Sequence, residues 1–134
     1  TSKYALPNLL ENGGGTIINM ASAAALKGVK DRVGYSTTKG GLVSLTQSIA
    51  IDYIDQGLRC NAICPATVDT PWIHRMISHY PNPKAEIESM VARQPMGRLG
   101  QPDEIAQAAV YLASPAAKFI TGTCLVIDGG FTLQ

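Results

Sequence analysis

Three short apolar runs stand apart from the rest of the chain. Residues 16–21 (Thr-Ile-Ile-Asn-Met-Ala), 59–64 (Arg-Cys-Asn-Ala-Ile-Cys) and 124–127 (Cys-Leu-Val-Ile) are brief, and the first is rich in β-branched residues and nearly continuous in hydrophobicity. This pattern predicts strands buried on both faces. Helical spacing fills the intervals. Residues 1–12 read as the last turns of a helix stopped by Gly13-Gly14-Gly15. A longer helix is predicted over about residues 34–56, with Leu42, Val43, Leu45, Ile49, Ile51 and Tyr53 on or near one stripe and Gly57 closing it. Gly40-Gly41 inside it costs about 1 kcal/mol per glycine relative to alanine, which implies close packing or a partner helix. Residues 66–100 hold four of the eight prolines and only short helical stretches, near 72–79 and 85–93. Gln101-Pro102-Asp103-Glu104 then opens a helix running to about Ala113, with proline and acids in its first turn.

Helix and strand therefore alternate, which implies right-handed crossovers and a parallel sheet covered on both faces. In such a doubly wound α/β architecture ligands sit beyond the carboxyl ends of the strands. Ser22 and Pro65-Ala66-Thr67 fall at two such ends. At 134 residues the chain makes one domain at most. A net charge of +1 gives no electrostatic reason to expect nucleic acid or an anionic membrane as partner. No apolar run approaches the roughly 18 residues that span a bilayer, and no signal peptide opens the chain. Three cysteines without metal-ligand spacing point to a reducing, cytoplasmic setting. Cys60 and Cys64, about 13 Å apart on one strand, are too distant for a disulfide and read as buried thiols.

The candidate chemistry lies in Tyr35-Ser-Thr-Thr-Lys39, with Ser22 thirteen residues upstream. Positions i and i+4 share a helix face, so Tyr35 and Lys39 can converge on one ligand region. A free phenol titrates near 10, and lowering that by ~3 units takes about 4 kcal/mol. An ammonium at roughly 4–5 Å contributes about 3–4 kcal/mol at an effective dielectric of 20, before screening. One lysine therefore has the right magnitude to make a tyrosine an acid/base, and a serine hydroxyl beside it can hold the reacting oxygen in line. The Tyr-x-x-x-Lys spacing alone is weak, since about 0.2 such pairs arise by chance in this composition. An amphipathic helix with a packed tyrosine and a snorkelling lysine would give the same spacing.

Taken together, residues 17–22, Tyr35-Ser-Thr-Thr-Lys39, residues 59–65, Thr70-Pro71, Gly97-Arg98 and Thr121-Gly122 through Asp128-Gly129-Gly130 resemble, in order and spacing, the C-terminal part of a short-chain dehydrogenase/reductase. The resemblance covers essentially the whole chain. It implies a single, incomplete Rossmann-type domain over residues 1–134 and an oxidoreductase using NAD or NADP, NAD being the first choice. It implies that Ser22 orients the substrate carbonyl, Tyr35 transfers the proton, and Lys39 binds the nicotinamide ribose and lowers the tyrosine's pKa. Pro65, Ala66, Val68 and Thr70 would lie along the nicotinamide, Val68 through its backbone and Thr70 through its hydroxyl. A homo-oligomer, dimer or tetramer, is implied too, with the Tyr35 helix and the one ending at residue 12 packing against their copies.

The chain departs from the family in two respects. Ala66 stands where the family usually has glycine. The family's opening elements, a glycine-rich strand–turn–helix, an Asn-Ala-Gly motif and a catalytic asparagine, have no counterpart, which leaves a sheet edge expected to be unpaired. Gly13-Gly14-Gly15 precedes a strand and is no substitute. Lys27-Gly28-Val29, Arg32 and Arg93-Gln94 are most similar to the branch of type 2 3-hydroxybutyrate and 2-keto-3-deoxy-sugar-acid dehydrogenases. Arg32 and Arg93 could clamp a substrate carboxylate, and Trp72, His74, Arg75, His79 and Tyr80 lie in the stretch where the family carries its substrate lid. Solvated surface arginines are the competing explanation. The expectation is a secondary alcohol/ketone oxidoreductase acting on a small hydroxy acid or sugar-derived acid, with neutral sugar, steroid or acyl-thioester ketones as runner-up. The rival from another class is a catalytically silent chain that retains only an assembly surface. No metal site is expected.

Overall fold

The computed structural model describes residues 1–134 throughout. In chain order the elements are α1 (Ser2–Glu11), β1 (Gly15–Met20), α2 (Val33–Asp52), β2 (Leu58–Pro65), α3 (Pro71–Ile77), α4 (Pro83–Ala92), α5 (Pro102–Ala113) and β3 (Cys124–Ile127). Short 3-10 turns occupy Ala23–Ala25, Ile54–Gln56, Pro115–Ala117 and Phe131–Leu133. The strands form one parallel sheet in the order β1-β2-β3. Gly15 to Met20 pair with Leu58 to Ile63, and Ala62 to Pro65 pair with Cys124 to Ile127.

β2 carries the core. Leu58 and Cys60 pack under Ile49 and Ala50 of α2, with Leu6, Leu9 and Leu10 of α1 alongside. Ala62 and Cys64 continue that face with Ala21. Ile63 points the other way, against Ile105 and Leu112 of α5. The period-2 alternation of a strand thus serves two helical layers. Ile63 is completely buried, and shielding such a side chain is worth about 1.5–3 kcal/mol. β1 and β3 are only half-buried, against the expectation of burial on both faces, because each has a single strand neighbour in this sheet.

Polar groups inside the sheet are paired. Asn61 is fully buried; its Nδ2 donates to the Ile120 carbonyl at 3.0 Å and its Oδ1 accepts from the Thr123 amide at 3.1 Å. Arg59 donates to the carbonyls of Ile120 and Leu112 at 3.1 and 2.9 Å. Together with main-chain bonds from the Gly122 amide to the Cys60 carbonyl (2.7 Å) and from the Ala62 amide to the Thr123 carbonyl (2.8 Å), these fix the approach to β3.

The long helix is one turn shorter than its pattern predicts. It ends at Asp52, and a 3-10 turn leads to Gly57 at φ 76°. Its stripe is also split. Ile49 and Ala50 face the sheet, but Leu45 and Ile51 are 42% and 69% exposed. A Cβ at Gly40 or Gly41 would meet nothing within 4 Å, so packing inside the chain does not account for these glycines. α2 is apolar on both sides, and its outer side is open. The glycine turn before β1 does have an internal reason. Gly14 adopts φ +107°, and a Cβ there would lie 2.2 Å from the Gly57 carbonyl oxygen, so two loops are pressed together where no side chain fits.

α5 begins as its sequence predicts. Glu104 accepts from the Gln101 amide at 2.7 Å, satisfying a helix-start donor. Arg98 donates to both Glu104 oxygens at 2.8 and 2.7 Å. The Arg98 guanidinium, then the Gln101 amide, pull the Glu104 carboxyl from its ordinary 4.5 to about 2. A depressed folded-state pKa gives stability that is present in full above the unfolded value and lost as pH falls through the folded one. Glu104→Gln should therefore lower stability at neutral pH and flatten its decline between pH 4.5 and 2, a difference that denaturant melts across that range will read. Parallel curves for the two proteins would show that this carboxyl contributes nothing to acid sensitivity.

Candidate active site

The register that places Met20 opposite Ile63 leaves β2 two residues longer than β1, so Ser22 falls beside Pro65. Beyond β1 the Ala21 amide donates to the Ile63 carbonyl at 2.8 Å, and Ser22 follows in extended conformation. The Ser22 hydroxyl accepts from the Ala24 amide at 3.2 Å, capping the turn at Ala23–Ala25. Its own contact with the Pro65 carbonyl is long, 3.5 Å, so its proton is only loosely engaged.

Tyr35 sits in the first turn of α2 and Lys39 one turn later. The Lys39 Nζ donates to the Met20 carbonyl at 2.7 Å and lies 5.9 Å from the centre of the Tyr35 ring. That one bond docks the start of α2 on the tip of β1. The other two ammonium protons of Lys39 are uncommitted. Tyr35 is 47% exposed.

Two cavities meet here. One, of about 450 Å³, reaches toward α3 and α4 and is bordered by Arg32, Trp72, Arg93, Gln94 and Phe131. The other, of about 480 Å³, reaches toward α5 and is bordered by Lys39, Pro65 and Ile105. Ser22, Tyr35, Ala66, Val68 and Thr70 line both. Thr70 caps α3 by accepting from the Ile73 amide at 3.4 Å, which leaves its hydroxyl proton free. Ala66 stands where a glycine was expected, yet its φ is not positive, so the methyl costs no backbone strain.

Outside the lid stretch, every residue singled out from the sequence as a catalytic, cofactor or substrate candidate borders one or both cavities. The lid stretch divides. Trp72 and Arg93 border the first cavity, whereas Arg75, His79 and Tyr80 do not. His74 is taken up by Asp69, its Nε2 lying 2.6 Å from Oδ1. Arg32 and Arg93 form no ion pair; both are solvent-exposed at the border of the first cavity, with their charge open to a ligand.

Two cavity residues were given no role from the sequence. Phe131 is held by Lys27, whose Nζ lies 5.0 Å from its ring centre and donates to the main-chain oxygens of Phe131 and Gln134 at 3.1 and 2.7 Å. The turn carrying it is set by Asp128, which accepts from the Gly130 amide and from the Thr132 amide and hydroxyl. Burial pushes the Asp128 carboxyl up, but the Thr132 and Gly130 donors outweigh it and hold the group below its ordinary value. Gln94 is 3% exposed and its Nε2 has no partner. Neither gives a periodic signal; the pairing Arg93-Gln94 was the sole pointer to Gln94. Cys64, under Ser22, is pushed up to about 11, first by burial and then by neighbouring Cys124. It stays a thiol at neutral pH, which rules it out as a nucleophile there.

A family model described as enoyl-(acyl carrier protein) reductase matches residues 1–132. Dehydrogenase/reductase SDR family member 6 of Danio rerio is 48% identical over 132 residues, covering 98% of this chain and 54% of that protein. The 2-keto-3-deoxy-L-fuconate dehydrogenase of Xanthomonas campestris is 48% identical over 134 residues, covering 98% and 45%. Among solved structures, ElxO with NADP bound superposes with a TM-score of 0.89 at 31% identity, over 99% of this chain and 52% of ElxO. The chain spans about half the length of the curated relatives it matches. With the serine, tyrosine and lysine gathered at the strand tips, and with this agreement from end to end, the chain belongs to the short-chain dehydrogenase/reductase family.

Proposed function

We propose that the chain carries the catalytic portion of an NAD(P)-dependent oxidoreductase that interconverts a secondary alcohol and a ketone on a small hydroxy acid or sugar-derived acid. The observation that carries this reading is the wall shared by two cavities, with Ser22 and Tyr35 in it, Lys39 on one side and two arginines on the other.

The Lys39 side suits the nicotinamide end of the cofactor. Lys39 offers free ammonium protons to a ribose, Thr70 a free hydroxyl to a carboxamide, and Pro65, Ala66 and Val68 a mostly apolar rim. When bound, that cofactor supplies hydride exchange. The chain's residues handle the oxygen. The Ser22 hydroxyl donates to the substrate oxygen and holds it beside Tyr35. Tyr35 gives its phenolic proton to that oxygen on reduction and takes it back on oxidation. Its partial exposure lets water restore the proton. Lys39 keeps a positive charge near the phenol in both states.

To test the roles, the chain can be joined behind the N-terminal half of the Danio rerio relative. Tyr35→Phe should lower kcat by at least about 100-fold, the scale of a lost general acid, with NADH affinity within about twofold. Unchanged turnover would remove Tyr35 from the chemistry. Arg32→Ala and Arg93→Ala should each raise KM for 3-hydroxybutyrate by about 10-fold or more, and for 2-pentanol hardly at all. Equal effects on both substrates would discard the acid preference.

The open outer side of α2 supports assembly as a homo-oligomer, dimer or tetramer, with Leu45 and Ile51 covered by a second copy. Ile51→Lys should shift the sedimentation profile toward monomer. A wild-type chain already monomeric at high micromolar concentration would contradict this.

A further inference from the structure

Four polar side chains are buried: Ser22, Thr46, Asn61 and Gln94. Three are accounted for within the chain. Ser22 caps a turn, Thr46 donates to the Leu42 carbonyl at 2.7 Å and accepts from Asn19, and Asn61 uses both ends of its amide. Gln94 makes no side-chain hydrogen bond, and its buried Nε2 is without a partner. It is nevertheless firmly placed. Its amide donates to the Val91 carbonyl at 2.9 Å and its carbonyl accepts from Gly97 at 2.8 Å. Gly129 crosses directly over it, since a Cβ there would lie 3.5 Å from the Gln94 Cβ. The nitrogen end of the amide is the end sealed from water.

A buried, unpaired amide nitrogen is unfavourable where methionine of similar length would fill the space without loss. Gln94 borders the same cavity as Arg32 and Arg93. A carboxylate has about four lone-pair positions, enough for a guanidinium fork and an amide donor together. We propose that Gln94 is a specificity-determining residue whose side-chain amide, after a half-turn that brings Nε2 to the cavity side, donates to an acid oxygen of the substrate alongside Arg93. The inference rests on the acid-binding reading above and assigns the partner that the buried amide lacks within the chain.

The 134-residue chain can be tested with 3-hydroxybutyrate as acid probe and 2-pentanol as neutral probe, by calorimetry and thermal melting. Gln94→Met should melt a few degrees above wild type without ligand, because an unpaired polar group has been removed. It should bind 3-hydroxybutyrate about 10-fold more weakly, the scale of one hydrogen bond to a charged group, and 2-pentanol within about twofold. Gln94→Glu, similar in shape but negatively charged, should weaken the acid further; if it does not fold, the methionine variant decides. Unchanged acid affinity in Gln94→Met overturns the proposal, as does an equal loss for both probes. A lower melting temperature with unchanged acid affinity assigns Gln94 to packing instead. If Arg32→Ala and Arg93→Ala weaken the acid and Gln94→Met does not, only the role of Gln94 fails. If wild type binds the acid no better than 2-pentanol, the acid-binding reading fails and this inference falls with it.

Discussion

The site depends on the parallel register of β1 with β2. A slip by one residue would turn every side chain to the opposite face. As it stands, Ser22 lies 3.5 Å from the Pro65 carbonyl at the end of β2, and the Met20 carbonyl is left at the tip of β1 to receive Lys39. That last bond does two things. It satisfies a strand-end acceptor, and it ties the Lys39 turn to a helix whose rotation is set by Leu42, Val43, Ile49 and Ala50 packing on β2, so that Tyr35 borders both cavities. Held in this way, Tyr35 and Lys39 owe their positions to the sheet as much as to their own helix.

Around that tip the structure separates two kinds of surface. Toward α5 the hollow is lined by small and aliphatic side chains with one ammonium. Toward α3 and α4 it carries two unpaired guanidinium groups, an aromatic wall and a buried amide. Because both arginines are exposed, their charge is solvated at little cost and remains available to a ligand of opposite sign. The wall is held from behind by interactions that take no part in the chemistry. Lys27 grips the turn of Phe131, Asp128 gathers the donors of Gly130 and Thr132, and Gly129 lies over Gln94. Rigid support of this kind keeps a binding surface in place before the ligand arrives.

The strands, the α5 start and the Tyr35–Lys39 pair were all legible in the chain, because each depends on neighbours close in sequence. Continuous β-branched runs mark strands, an acid three residues after the cap marks a helix start, and four-residue spacing marks a shared helix face. The reading weakened where burial depends on distant elements. Leu45 and Ile51 belong to an apolar pattern that looks inward, yet they face outward, since α2 is apolar on both sides and periodicity has no means of choosing the buried one. β1 and β3 look like interior strands but are half-covered, since burial is set by how many strands flank them. Of the three lid-region and loop arginines, only Arg32 and Arg93 reach the cavity, and no local property distinguishes them from Arg75.

What the sequence determined by itself was the order of elements, the strand tips as the place for ligands, and the serine, tyrosine and lysine that gather there. The element order and strand tips follow from period and capping, which act over a few residues, whereas the grouping of serine with tyrosine and lysine came from the family resemblance of the ordered motifs. Tertiary structure alone decided which guanidinium groups share a hollow, that Phe131 closes it from near the far end of the chain, and that Gln94 is buried without a partner. These are facts about convergence of segments dozens of residues apart. They arise only when a parallel sheet with long crossovers brings its loops to one edge.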